Sequence, residues 1–240
     1  MKFKATLFAL LAASALPSHA TTYTWTGDSA ETNNWSDSGN WNGNGRPTSS
    51  NNTILEFTGN PDNPDANVDA WNDFPDWSMN IGQLNFSDDT ITLDGNNFGF
   101  EPLNGSQQIN QNSEQMQFII NPIFAFRSGS DSQINLNAGD LVIESAVYLD
   151  RNSGTARQLM IGGTTNDPHA LTIEGSINKG GNGYDPDMVI QNNKRVTVLG
   201  ALTFGSGTDG SVFIKSGLLE FQGTGSMTGA PVIGNSSGAD

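Results

Sequence analysis

VTVLGALTF, residues 196–204, contains two short apolar runs joined at one glycine, Gly200. Each run has the composition and alternation that are typical of a β-strand. Glycine adopts backbone conformations that a residue with a Cβ atom avoids, so it suits a sharp corner between two strands. The stretch therefore predicts a strand that reaches a corner and continues at once as a second strand.

The same arrangement recurs along the chain. It is found in TITLDGNNFGF around Gly95, INLNAGDLVI around Gly139, LTIEGSI around Gly175 and VFIKSGLLEF around Gly217. Repetition of one strand-corner-strand unit is typical of a β-solenoid, in which each coil turns from one sheet to the next. The corners are unevenly spaced, so we expect loops of variable length to protrude.

Other short strands with glycine, asparagine, aspartate or proline at their ends fit the same interpretation, and no stretch after residue 20 keeps the apolar period of a helix. An antiparallel β-sandwich is the alternative, since it also contains many short strands. Two-residue hairpins at Asp94-Gly95 and Asp209-Gly210 would support the sandwich. The chain is thus predicted to be all-β, with the solenoid as the first choice.

The first twenty residues have the features of a signal peptide. Lys2 and Lys4 precede an apolar run, and small residues, Ser18 and Ala20, stand before the expected cleavage site. The apolar run is shorter than the roughly 20 residues that span a membrane. We therefore expect a secreted product without a transmembrane segment.

Charge and composition exclude several classes of function. The formal net charge is −15, which repels nucleic acid and anionic lipid. The chain has no cysteine, so disulfides and a cysteine nucleophile are absent, and its two histidines include His19 of the leader. No catalytic residue is singled out, and the chain is expected not to be an enzyme.

Residues 22–41, TYTWTGDSAETNNWSDSGNW, hold three of the five tryptophans, Trp25, Trp35 and Trp41. The first coil of a solenoid leaves its apolar interior open to water and needs a cap. We expect these three side chains to form that cap, each with its indole N–H bonded to a nearby asparagine or aspartate oxygen. An exposed sugar-stacking platform is the alternative.

Residues 61–80 are rich in aspartate and proline and carry the other two tryptophans. This composition predicts a loop insertion rather than a coil. Trp71 and Trp77 would then be partly exposed, which makes them the candidate ligand-binding residues.

A calcium site is a weaker candidate. GGNGYDPDM, residues 180–188, matches part of a calcium-binding nonapeptide repeat, with Asp185 and Asp187 as the acidic residues. Asp187 stands where that repeat has an apolar residue, and the motif occurs once. No other cofactor is expected. Separately, Asn110, Asn121, Asn135 and Asn137 are expected to form amide ladders inside the coils.

Several segments resemble the autotransporter-associated β-strand repeat family of secreted bacterial proteins. YTWTG at 23–27, NNW at 33–35, GNW at 39–41 with Pro47 and NNTILEF at 51–57 resemble the family's N-terminus, and the segment 216–238 is similar to its repeat unit. The resemblance implies a right-handed parallel β-helix passenger that is exported and displayed or released. It implies no catalytic residues.

These observations divide the chain into a signal peptide (1–20), a cap with the first strand (21–60), an acidic loop (61–80) and solenoid coils (81–240). The expected function is that of a secreted or surface-displayed, non-enzymatic structural or adhesive protein. Its expected partner is an extracellular polysaccharide or the surface of a host or neighbouring cell. An extracellular carbohydrate-binding module and a polysaccharide-degrading β-helix enzyme are the alternatives.

Overall fold

The computed structural model describes residues 19–42, 45–58, 68–101, 107–127, 131–149, 158–179, 187–203 and 212–223. Within these ranges the chain forms a parallel β-helix with three sheets. The one helical turn in the described ranges is a 3₁₀ turn at Ser38–Asn40. Asp37 caps this turn, its carboxylate accepting the Gly39 N–H.

Nine strands form sheet A, in the spatial order β2 (Trp41–Asn42), β1 (Thr21–Trp25), β3 (Thr53–Phe57), β6 (Gln83–Phe86), β9 (Gln107–Gln111), β12 (Ser132–Leu136), β15 (Gln158–Gly162), β18 (Asp187–Ile190) and β21 (Val212–Ile214). Seven form sheet B: β22 (Gly217–Phe221), β19 (Lys194–Val198), β16 (Ala170–Ile173), β13 (Leu141–Ile143), β10 (Gln117–Ile119), β7 (Ile91–Gly95) and β4 (Val68–Asn72). Six form sheet C: β20 (Leu202–Thr203), β17 (Ile177–Lys179), β14 (Val147–Leu149), β11 (Phe124–Phe126), β8 (Phe98–Phe100) and β5 (Met79–Ile81).

The pairing excludes the antiparallel sandwich. Every strand pair among the described residues is parallel except β1 with β2. In sheet A the register advances by 25 residues per coil where Asn85, Asn110 and Asn135 stand side by side. Parallel strands joined without helices, each paired with the strand one coil later, define a solenoid.

The five predicted glycine corners all lie where the chain changes sheet. Gly139 and Gly217 lie between sheets A and B, whereas Gly95, Gly175 and Gly200 lie between sheets B and C. The five glycines are unevenly spaced in the sequence because some lie at the corner between sheets A and B and others at the corner between sheets B and C. Gly175 and Gly200 stack on one another, and a Cβ atom on Gly200 would lie 2.1 Å from the Gly175 carbonyl oxygen.

One part of the predicted organisation differs from the structure. Residues 68–80, which belong to the predicted loop 61–80, contain strand β4 and the start of β5. β4 pairs in parallel along its length with β7, so this part of the segment is a coil of the solenoid. The residues before 68, with two of the three prolines, lie outside the described ranges.

The interior is continuous along the stack. In many strands alternate residues point inward and are buried, as in β12, where Ser132, Ile134 and Leu136 are buried and the residues between them are not. β8 and β11 of sheet C are instead buried at every position. Phenylalanines of successive coils stack inside sheet C, with the rings of Phe98 and Phe124 5.9 Å apart. The sheets therefore present their intervening residues on three outer faces.

Candidate binding surfaces

The tryptophans of residues 22–41 lie in the interior. Trp25 and Trp35 are fully buried and Trp41 is 5% exposed. The Trp41 ring is perpendicular to both of the others, at 5.0 Å from Trp25 and 6.2 Å from Trp35. The rings of Trp35 and Phe98 are 5.8 Å apart, which joins this cluster to the phenylalanines of sheet C. Such rings cannot stack on a sugar without unfolding this end of the stack.

The hydrogen bonding of these indoles differs from the prediction. The Trp41 Nε1–H donates to the backbone oxygen of Trp35 at 2.9 Å, not to an asparagine or aspartate side chain. The Nε1 atoms of Trp25 and Trp35 are buried without a partner. The aromatic contacts therefore hold these two side chains in place, and burial of their N–H groups costs free energy.

Trp71 lies on the outer face of sheet B. It is 44% exposed, while its neighbours in sequence, Ala70 and Asn72, are buried. Its backbone is held from the side opposite β7, since its N–H donates to the Asn33 oxygen and its carbonyl accepts the Trp35 N–H. The backbone that carries the indole is therefore hydrogen-bonded towards β7 on one side and to Asn33 and Trp35 on the other, which restricts the position of the exposed ring.

A polar pair lies next to Trp71 on the same face. Asp94 of β7 pairs with Trp71 in register. The Asp94 Oδ1 accepts a hydrogen bond from the Asn121 amide at 2.6 Å and another from the Gly95 N–H. An exposed apolar ring beside a fixed carboxylate and amide can hold a sugar ring, with the indole against its C–H face and the polar groups on its hydroxyls.

Trp77, the second predicted ligand residue, is half-buried and has a left-handed backbone with φ of 61°. The guanidinium carbon of Arg127 lies 4.5 Å from the centre of its ring, a cation–π contact. Arg127 also donates to the Asn80 side chain at 3.4 Å. One face of the Trp77 ring is therefore already covered, which makes Trp71 the better candidate.

The structure describes one of the two predicted calcium ligands. Asp185 lies outside the described residues, and Asp187 is the first residue of β18, in register with Gln158. In the described ranges no three histidine, cysteine, aspartate or glutamate side chains come together as a metal site would require. Calcium binding through Asp185 and Asp187 stays a prediction.

The predicted asparagine ladder lies outside the coils. The Asn110 amide donates to Asn85 at 2.8 Å and the Asn135 amide donates to Asn110 at 2.7 Å, on the outer face of sheet A. Asn137 bonds Asn112 in the same way, whereas Asn121 bonds Asp94. The repeated pattern Gln-x-Asn, at 83–85, 108–110 and 133–135, is the sequence signal of this polar face.

Among the described residues, Asp37 and Lys194 have perturbed pKa values. The Ser29 hydroxyl, and after it the Gly39 N–H, lower the pKa of Asp37 in the N-terminal segment. Burial lowers the pKa of Lys194, whose Nζ donates to the Asp167 backbone oxygen at 2.8 Å. Lys194 is fully buried, whereas its neighbour Arg195 is exposed.

No family model, curated protein or solved structure matches this chain. Among the described residues, no helix has the length and apolar character needed to cross a membrane. Any functional conclusion therefore depends on the surfaces themselves.

Proposed function

We propose that this protein is an exported, non-enzymatic β-helix that acts as a structural or adhesive scaffold at or beyond the cell surface, and that it contacts an extracellular polysaccharide through Trp71. The observation that carries the proposal is the 44% exposure of Trp71 on a strand that is paired with β7 along one edge and bonded at Trp71 itself on the other. A large apolar ring held rigid in water loses little conformational freedom when it binds a ligand.

The other outer faces support a scaffold. On sheet A the amides of successive coils bond to one another, as Asn85, Asn110 and Asn135 do. These polar side chains stabilise the stack along its axis rather than converging on a point in space. A solenoid that exposes the Trp71 ring on a regular sheet is suited to display and attachment.

The negative charge of the chain disfavours anionic polysaccharides and leaves neutral ones as the better ligands. A net charge of −15 repels uronate and sulfate groups, whereas the hydroxyls of a neutral polymer can bond to Asp94 and Asn121 without that penalty. The ligand class that fits the surface is a neutral extracellular polysaccharide.

The test is retention of the full chain on columns of insoluble neutral polysaccharides. We expect the Trp71→Ala variant to lose retention at an unchanged melting temperature. Leu218→Ala is the matched control, because Leu218 is 48% exposed on the outer face of the same sheet and should not matter. Equal retention of wild type and Trp71→Ala would contradict the proposal. Release of reducing sugar ends during the incubation would favour the degrading-enzyme alternative.

A further inference from the structure

The outer face of sheet B carries a second feature, centred on strand β10. In this strand Gln117 and Ile119 point inward and are buried, which directs Phe118 outward together with Ile120 and Met116 just beyond its ends. Met116 is 43% exposed, and Phe118 and Ile120 are partly exposed. A half-buried strand usually has apolar residues inside and polar residues outside. In β10 a polar residue, Gln117, is inside and an apolar residue, Phe118, is outside.

The next strand extends this apolar surface. Val142 of β13 pairs with Phe118 in register and is also partly exposed. We call Met116, Phe118, Ile120 and Val142 the β10 patch. The equivalent strand of sheet A, β9, presents Gln108 and Asn110 on its outer face, so the solenoid does not require apolar residues at such positions. Contiguous exposed apolar side chains on a soluble protein mark a surface for interaction.

Acidic residues border the patch. Asp140 and Glu144 stand immediately before and after β13, and Asp94 lies on β7 on the other side of β10. The described strands of this part of sheet B, β4, β7, β10, β13 and β16, contain no lysine or arginine. An apolar patch with an acidic border is complementary to a partner surface that has an apolar centre and a basic border.

We infer that the β10 patch is a docking surface for a polypeptide whose exposed apolar side chains are set among lysines and arginines. This inference does not rest on Trp71 or on the polysaccharide, although Asp94 borders both surfaces. The outward side chains of β10 offer no hydroxyl, amide or carboxylate to bond a sugar. A second copy of the chain would bring two like-charged acidic rims together, and anionic lipid would be repelled in the same way.

The first experiment measures binding of the full chain to a synthetic amphipathic helix of leucine and lysine by titration calorimetry. Two comparison peptides keep the length: one has the same composition in scrambled order, and one has glutamate in place of lysine. We expect saturable binding of the first peptide, and weaker binding of both others. Equal binding of the scrambled peptide would overturn the inference, because charge alone would then explain the contact, and absence of binding would overturn it as well.

Substitutions in the β10 patch test whether the peptide binds there. The double variant Phe118→Thr/Ile120→Thr places threonine, a residue with high β-propensity, at both positions and should weaken binding by about tenfold or more, as loss of interface anchors does. Gln108→Thr, on the outer face of sheet A, is the matched control and should bind as wild type does. Melting temperatures check that both variants are folded. An affinity unchanged by the double variant would overturn the inference.

The acidic rim gives a second, separate readout. Glu144→Gln should weaken binding of the lysine peptide at low salt, and the difference from wild type should vanish at high salt, where exposed charges are screened. If the double variant Phe118→Thr/Ile120→Thr instead lost retention on polysaccharide and kept its affinity for the peptide, the patch would be a sugar site and the inference would be wrong. Trp71→Ala should leave peptide affinity unchanged, which separates this result from the proposed function.

Discussion

The N-terminal tryptophan cluster and the outer face of sheet B use the same kind of side chain, but the cluster points into the interior and Trp71 points away from it. Trp25 and Trp35 are fully buried among other rings, whereas Trp71 is 44% exposed although its backbone bonds directly to that of Trp35. The difference shows that the direction in which a tryptophan side chain points from its coil decides whether it is buried or exposed. The inward rings pack against one another, whereas the outward Trp71 ring remains exposed to solvent.

The largest effect expected from this division concerns Trp35. Its ring contacts Trp41, Phe57 and Phe98, so Trp35→Ala leaves a cavity that the surrounding rings cannot fill. We expect a loss of about 3–5 kcal/mol in the free energy of unfolding, measured by chemical denaturation. Trp71→Ala is the control and should change this free energy by less than about 0.5 kcal/mol. Similar losses for the two variants would abolish the distinction between inward and outward rings.

A smaller effect separates two members of the cluster by their N–H groups. Trp41→Phe removes the hydrogen bond to the Trp35 carbonyl, whereas Trp35→Phe removes a buried N–H that has no partner. Both variants lose part of a ring, but only the first loses a bond. We expect Trp41→Phe to be the more destabilising by about 1 kcal/mol. Thermal and urea unfolding of the two variants check the order, and the reverse order would show that the Trp35 N–H has a stabilising contact.

Lys194 is a fully buried charged residue, and its effect on stability depends on pH. Burial lowers the pKa of Lys194 below its usual value of 10.5, so the folded chain releases this proton at a lower pH than the unfolded chain. Between the two pKa values the unfolded state binds more protons, and stability therefore rises with pH in this alkaline range. Below the folded-state pKa both states are protonated and the cost of burying the charge is constant.

Lys194→Met should remove that cost. We expect a gain of about 1 kcal/mol at neutral pH that shrinks as the pH approaches 10.5. Urea midpoints of wild type and variant from neutral to alkaline pH give the comparison, with Arg195→Met, the exposed neighbour, as the control. A constant difference across this range would mean that Lys194 titrates in the folded protein as it does in the unfolded one.

The coils and corners could be predicted from the sequence because their signals are local. Alternating apolar residues mark each strand, and glycine marks each corner, where the stacked coils leave no room for a Cβ atom at Gly175 or Gly200. Strand β4 was missed because the aspartates and prolines before it are typical of loops. Its ladder with β7 decides its structure, and that partner is more than twenty residues away in the chain.

The binding surfaces could be predicted only in part. Trp71 was chosen because a loop insertion would leave its side chain partly exposed. The side chain is exposed, but Trp71 lies on strand β4 and not in a loop. The β10 patch was not predicted, because an apolar-inside interpretation of MQFII, residues 116–120, places Gln117 outside and Phe118 inside. The neighbouring coils decide this: Gln117 accepts the Ile91 N–H and donates to the Asp89 carbonyl, which fixes a polar residue inside and Phe118 outside.

The division between inward and outward rings is tested most directly by tryptophan fluorescence during titration with neutral oligosaccharides, in wild type, Trp71→Phe and Trp25→Phe. The account predicts a saturable emission change in wild type and in Trp25→Phe, and none in Trp71→Phe. A change that persists in Trp71→Phe, or that disappears in Trp25→Phe at an unchanged fold, would contradict it.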